Sequence, residues 1–588
     1  MQSVRYWGGF RIVDGGCLTY CAERGIVEYG ERYEGKMRGS VMKREVGGTG
    51  QAPNLQEMAK ACTMALGLCL ALLLVACDDG PAALDADGVD LVEQELPELD
   101  GELELPPIEP ALCEGISPLE PTAEVTVVGE GSAASCTEAA LRSALDALSA
   151  AGEGFLRFDC GGAHTITLET ALQVESSKEA VLVVDGEGLI SISGGGKTRI
   201  FDLDNHSNFV VQRLTLRDGF VAAGEPEVTN RPSDSGAAIR HPWFGTLKVI
   251  DVDFIDNHCA SRDGEIGGGA IYAGGLTDAV ISGSSFVGNS ASNGGAILNR
   301  GSNLRVLRSV FQGNGALSQG DGQYGNGGGL YIDGMNYDDP GDFYMCGTVF
   351  AENTAMTHGS GVFSYFYEGS SSTIEHCLFD SNRFGEEGAG SGALYHQAVA
   401  LTLRSTALLN HRSGQHAGGL FLGSGSSALI ENCTFAHNEV PGNGAGIFDG
   451  ASPMELRNCT FTENKADYGP AIFKGKDAVV SLQNSLMVNN RTDNEYSATS
   501  CHEALVDAGG NLQWPQLKNN GKPDVACTES IVFADPGLQP VADNGGFAPS
   551  AALVPGSPAI DAASQCPATD QRGLPRSEPC DAGAFEAQ

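Results

Sequence analysis

The chain has few aromatic residues, 7% of the total, and few positive charges, with 35 basic residues against 75 acidic ones and a formal net charge of -40. A surface of that sign repels nucleic-acid phosphates and anionic lipid headgroups, so nucleic acid is excluded as a partner, and the charge keeps the chain in solution. Long hydrophobic runs are lacking too. The most apolar stretch, 65–76, is too short for a comfortable membrane span. There is no zinc-ligand spacing, no phosphate-cradling loop between strand and helix, and no nucleophile elbow. What the chain does have is glycine, 80 residues of it, among short apolar runs cut by Gly, Asn, Asp and Ser. With so few aromatics this does not suit a conventional globular enzyme; it suits an all-β solenoid.

Two phrases alternate between Gly236 and Asn489, about nine times each. One reads Gly268-Gly269-Ala270-Ile271, Gly294-Gly295-Ala296-Ile297, Ser391-Gly392-Ala393-Leu394 and Gly444-Ala445-Gly446-Ile447. The other pairs Phe254 with Asn257, Phe286 with Asn289, Phe311 with Asn314, Phe350 with Asn353, Phe379 with Asn382, Phe435 with Asn438 and Phe461 with Asn464, with weaker copies ending at Asn410 and Asn489. Self-similarity at this period marks a stacked repeat. The interval fits one coil of a right-handed parallel β-helix, with the excess in loops, where insertion costs little. In such coils Phe stacks on Phe, and the Asn either forms an amide ladder or takes a left-handed backbone conformation. The phrases resemble the GGA(I/L/V) and FxxN repeats of polymorphic outer-membrane proteins, which implies a parallel β-helix on a bacterial surface. Unlike those proteins, the chain shows no C-terminal run of amphipathic membrane strands.

The N-terminus carries the address. Residues 1–57 are expected to be an over-extended gene start or a discarded segment, with translation beginning at Met58. Lys60 and the run that follows have the layout of a signal peptide over 58–77, and Leu74-Val75-Ala76-Cys77 resembles a bacterial lipobox. The resemblance implies acylation of Cys77 and membrane anchoring through more than one acyl chain, hence a cell-envelope location at the outer membrane or cell surface. Residues 78–122, rich in Asp, Glu and Pro, are expected to be an extended spacer.

The folded body is expected in three parts: a cap with the first coils over 123–220, the repeats over 221–490, and a C-terminal capping region over 491–588. A helix-period pattern begins at Cys136 and ends near Gly152, followed by a strand closing on Cys160. This order is similar to the segments that open many bacterial β-helices, where the helix covers the apolar end. A Cys136–Cys160 disulfide suits an oxidising compartment. The last segment, with Gly556-Ser557-Pro558-Ala559-Ile560-Asp561 and Cys580-Asp581-Ala582-Gly583-Ala584-Phe585-Glu586, resembles the choice-of-anchor Q domain of bacterial surface β-helices. That resemblance implies a tail closing the lowest coil, stapled by Cys566–Cys580 and Cys501–Cys527, with Asp561, Asp570, Arg572 and Asp581 in a charge network.

Chemistry has three candidate places. The column after each aliphatic residue, including Tyr272, Tyr331, Phe363 and Tyr395, either faces outward as an aromatic stripe for glycans or surface proteins, or forms an interior stack. The long interval before Phe350 carries Asp321, Asp333, Asp338, Asp339 and Asp342, carboxylates that could hold calcium or simply form a solvated acidic insertion. Otherwise no cofactor is expected. Arg383, Arg404 and Arg412, with His396, His411 and His416, are the remaining material for a polysaccharide lyase or glycoside hydrolase, but no spacing singles out a catalytic set. The expected function is a membrane-anchored binding, adhesion or structural scaffold, with polysaccharide cleavage as the alternative.

Overall fold

Apolar residues alternating over four or five positions, closed by residues that tolerate a left-handed backbone, dictate short strands joined by sharp bends. The computed structural model describes residues 112–122, 124–178, 180–224, 232–262, 264, 266–317, 324–334, 341–385 and 390–588. Their coils stack into an all-β parallel solenoid of about 13 turns with 4% helix. At a strand spacing of roughly 4.8 Å the stack is about 60 Å long.

One coil shows the plan. Leu304–Leu307 and Val310–Gln312 lie in the largest sheet, sheet 1; Gly315–Ala316 lies in the narrow sheet 3; Leu330–Asp333 lies in sheet 2. The next coil repeats each strand in register, with Leu304 beside Phe343, Phe311 beside Phe350, Ala316 beside Ala355 and Tyr331 beside Phe363. Leu304, Val306, Phe311, Leu330 and Ile332 fill the interior. The phenylalanines stack from Phe254 through Phe286, Phe311 and Phe350 to Phe379 at centroid spacings of 4.6, 4.6, 4.4 and 5.2 Å.

The bends explain the asparagines. Asn257 donates from Nδ2 and from its backbone N–H to Oδ1 of Asn289, at 2.9 and 3.1 Å. The same pair of bonds links Asn289 to Asn314, Asn314 to Asn353 and Asn353 to Asn382. The left-handed residue is the one before the rung, as at Asp256 (φ 51°) and Glu352 (φ 57°). This corrects the two weaker copies. Asn410 and Asn489 are left-handed bend residues (φ 60° and 55°), and the rungs of their coils are His411 and Asn490. Leu408 therefore occupies the phenylalanine place, beside Phe379. The same offset puts Thr406 in the column of Cys377, Cys433 and Cys459, whose thiols are free and buried. Burial pushes Cys377 and Cys459 up to about 12, so neither is a nucleophile at neutral pH.

Helix α1 (Glu138–Ala151) closes the upper end with Leu141, Leu145 and Leu148, capped by Thr137 and ended by the left-handed Gly152. Cys136 is bonded to Cys160 beneath it. At the lower end Leu505, Cys527 and Ile531 enter the core, and Cys501 is bonded to Cys527. The tail does not close that end. Phe547 and Ala548 pack on Val349, Leu378 and Leu409, and Leu553, Cys580 and Ala582 on Leu486, Val488 and Leu512, all on the outer flank of sheet 1. Sheet 1 turns apolar side chains outward here, and the tail buries them. It is held by Cys566–Cys580 and by two nearly buried ion pairs, Asp570–Arg572 and Arg576–Glu586. Of the expected network, Asp581 binds the backbone N–H groups of Asp561 and Ala587.

The segment before the first strand covers another part of the same flank. Residues 112–122, expected as spacer, run back along sheet 1. Cys113 is bonded to Cys346, the N–H of Ile116 donates to Ser282, and Leu119 exchanges two bonds with Gln212. The segments 58–77 and 78–111, with Cys77, lie outside the described residues. Among the described residues no helix is long and apolar enough to cross a membrane.

Candidate functional site

The flank of sheet 1 is occupied by the segment 112–122 and by the tail, whereas sheet 2 carries the aromatic candidates. Its strands put aliphatic residues inward at alternate positions, which turns the residue between them outward. Tyr331 sits between Leu330 and Ile332 in this way. Register aligns these outward residues into a column running Arg240, Tyr272, Leu298, Tyr331, Phe363, Tyr395, Phe421, Phe448 and Phe473. Of the two sequence readings, outward stripe or interior stack, the geometry is that of an outward stripe.

From Tyr331 to Phe473 the rings stack at 5.0, 4.9, 4.7, 4.9 and 5.0 Å, and His502 closes the lower end 4.5 Å from Phe473. Each ring therefore covers the faces of its neighbours, and what reaches solvent is a row of ring edges. Tyr331, Phe363, Phe421, Phe448 and Phe473 are half-buried, whereas Tyr395 is 9% exposed. Tyr272 is 1% exposed and closed to any ligand. Ring faces, the usual platform for a sugar, are not on offer here; edges carry the positive rim of the aromatic quadrupole and favour oxygen acceptors and apolar groups. His358 stacks on Tyr395 at 4.8 Å and His416 on Phe448 at 5.0 Å. Burial holds His358 neutral, with its pKa lowered to about 4. Tyr365 is exposed beside the column, and the Tyr395 hydroxyl donates to Gln397.

The acidic candidates do not meet on the described residues. Asp333 ends a strand of sheet 2 and faces Arg300 at 3.7 Å; Asp342 opens a strand of sheet 1 and accepts from Ser371. Asp321, Asp338 and Asp339 lie outside the described residues. Among the described residues no group of three potential metal ligands gathers. The basic candidates scatter as well. His396 and His411 are interior, with burial lowering them to about 4 and about 3. Arg404 pairs with Glu431 on sheet 1, while Arg383 and Arg412 stand side by side on sheet 3.

Sequence reasoning missed Cys113–Cys346, because Cys113 lies in a stretch with the composition of a linker. It also missed Arg576–Glu586, although both residues lie in the tail segment already singled out.

A family model described as right handed beta helix region matches residues 245–492. That match and the coil geometry agree on the fold, a right-handed parallel β-helix. No curated protein matches the chain.

Proposed function

We propose that the protein is a bacterial cell-envelope lipoprotein, anchored through Cys77, whose β-helix serves as a binding scaffold for glycans or surface proteins. The observation that carries this reading is the contrast between two faces. Apolar outer side chains of sheet 1 are covered by the strap at 112–122 and by the tail, while sheet 2 keeps an aromatic column, Tyr331 to Phe473, that is half-exposed at every ring but Tyr395. Stacked edges make a rigid, low-entropy ridge, the kind of surface that gives up little freedom on binding. The lipobox and the acidic spacer support the envelope location.

An array of envelope glycans and surface proteins, probed with the full chain, tests the binding reading. Phe363→Arg and Phe448→Arg, which interrupt the ridge at its half-exposed rungs, should each reduce retained ligand at least tenfold. Retention unchanged in both variants removes the ridge as the recognition surface. Palmitate labelling tests the anchor: label that persists in Cys77→Ser refutes it. Release of unsaturated or reducing-end products from acidic glycans would favour the lyase or hydrolase alternative instead.

A further inference from the structure

The asparagine ladder has a direction, and its lower end is open. Each asparagine rung sends donors to the Oδ1 of the rung below, except at Asn382, whose N–H meets His411 Nδ1; below His411 the amide row runs from Asn438 through Asn464 to Asn490. At the upper end Asn257 Oδ1 accepts from the N–H of Gly219 at 2.9 Å, so that end is satisfied. At the lower end Asn490, 3% exposed, takes two bonds on Oδ1 from Asn464 and donates from Nδ2 to the Phe461 carbonyl. Among the described residues no acceptor meets its backbone N–H, the group that every rung above it has paired. Aligned hydrogen-bonded amides polarise one another, and the donor end of such a row is positive.

That end opens on a cleft. The coil that would supply the next rung gives way to residues 515–519, and a space of about 320 Å³ is left, lined by Asn490 with Asn489, Arg491, Leu517, Lys518 and Asn519. Arg491 makes no ion pair among the described residues, and Lys518 donates to the neutral carbonyl of Ser497. Glu463, the single carboxylate of the lining, stands 3.5 Å from His437. Two cations and an unpaired buried N–H call for an anion, whereas exposed amides and an apolar wall call for a polyol. The volume lies at the lower end of small-molecule sites.

We infer that the cleft binds a carboxylate of sugar size, a uronic acid, with the carboxylate received by the Asn490 N–H, Arg491 and Lys518. Its hydroxyls meet Asn489 and Asn519, and its ring rests on Leu517. The inference rests on the glycan-binding reading above and gives that reading a ligand class and a second surface.

Calorimetric titration of the full chain with glucuronate and galacturonate, beside the neutral methyl glucoside, provides the test. Uronate should bind at least tenfold more tightly than the glucoside. Arg491→Ala and Lys518→Ala should each weaken it tenfold or more, and Arg383→Ala, higher on the same column of sheet 3, should leave it unchanged. In the unaltered protein, uronate should also slow hydrogen exchange in peptides covering 486–491, a readout that needs no variant to fold. Equal affinity for uronate and glucoside, binding of neither, or uronate binding indifferent to both substitutions overturns the inference. If the array still retains glycans while uronate fails, only the cleft falls. If uronate binds while the array and the palmitate test fail, the cleft stands and the envelope reading falls.

Discussion

Phe311 and Tyr331 belong to the same coil, and each stands in a column of stacked rings. The inner column is spaced at 4.4 to 5.2 Å with its rings within 9° of parallel, and the outer one at 4.7 to 5.0 Å within 17°. The two are nearly alike because strand spacing, not burial, sets the distance between rings in neighbouring coils. They differ only at the edges. Phe311 is 0% exposed, whereas Tyr331 is half-buried, so the inner column is core and the outer one is a ridge. A stacked column is therefore no sign of an interior. The direction of the strand alternation decides.

Acid should produce the largest effect, and it strikes both columns. His411 stands among the inner rungs, His358 against the outer rings, and His241 and His396 at interior positions of sheet 2. Burial lowers His411 to about 3 and the other three to about 4. The neutral form is the folded form, so below the unfolded value of 6.5 the unfolded chain takes up protons that the folded chain refuses. Stability is thus full above pH 6.5 and falls as the pH drops toward 4, by about 1.4 kcal/mol per histidine per pH unit. Thermal midpoints measured between pH 8 and pH 4.5 should decline steeply only below 6.5; a flat profile would show that these imidazoles are not closed off.

Phe350→Ala and Phe448→Ala set the columns against each other directly. The inner deletion leaves a cavity between Phe311 and Phe379 and should cost about 3–5 kcal/mol. The outer one removes a half-exposed ring with both faces stacked and should cost about 1–2 kcal/mol, part area and part stacking. Urea midpoints of the two variants would decide. Equal losses would mean that the outer edges are covered in solution, and the ridge would lose its claim to be a binding surface.

Much of this is legible in the residues alone. The Phe-x-x-Asn phrase carries the inner stack and the ladder because both depend on side chains identical from coil to coil. Alternation around Tyr331 left the outer column open to two readings, stripe or interior stack, because the residues alone do not say whether a bend intervenes, and the closure of Tyr272 depends on neighbours distant in sequence. The coil at Leu408 was misread by one position because Asn410 imitates a rung while occupying the bend. The strap was invisible because 112–122 shares the acid-and-proline composition of the stretch before it, and a disulfide joining positions 233 residues apart leaves no local mark. Asp333 and Asp342 lie close in sequence, yet one ends sheet 2 and the other opens sheet 1.

The smallest predicted change is a gain, at the coil where both inner columns are interrupted. Leu408 replaces the ring there and His411 the amide, and His411 Nε2 is buried with no partner. His411→Asn should let Nδ2 reach Oδ1 of Asn438 and the Phe379 carbonyl, as the rungs above and below do, making the ladder continuous from Asn257 to Asn490. Relief of the unpaired nitrogen is worth about 1–3 kcal/mol, offset in part by the smaller side chain, for a net gain of about 1 kcal/mol at pH 8. At pH 5 the advantage should grow by about 2 kcal/mol, because the substitution also removes one proton refused by the folded state. Midpoints of the variant and its parent at the two pH values measure both terms. A gain that does not depend on pH would place the His411 imidazole in contact with water, and the ladder would then be broken at that coil for a reason other than burial.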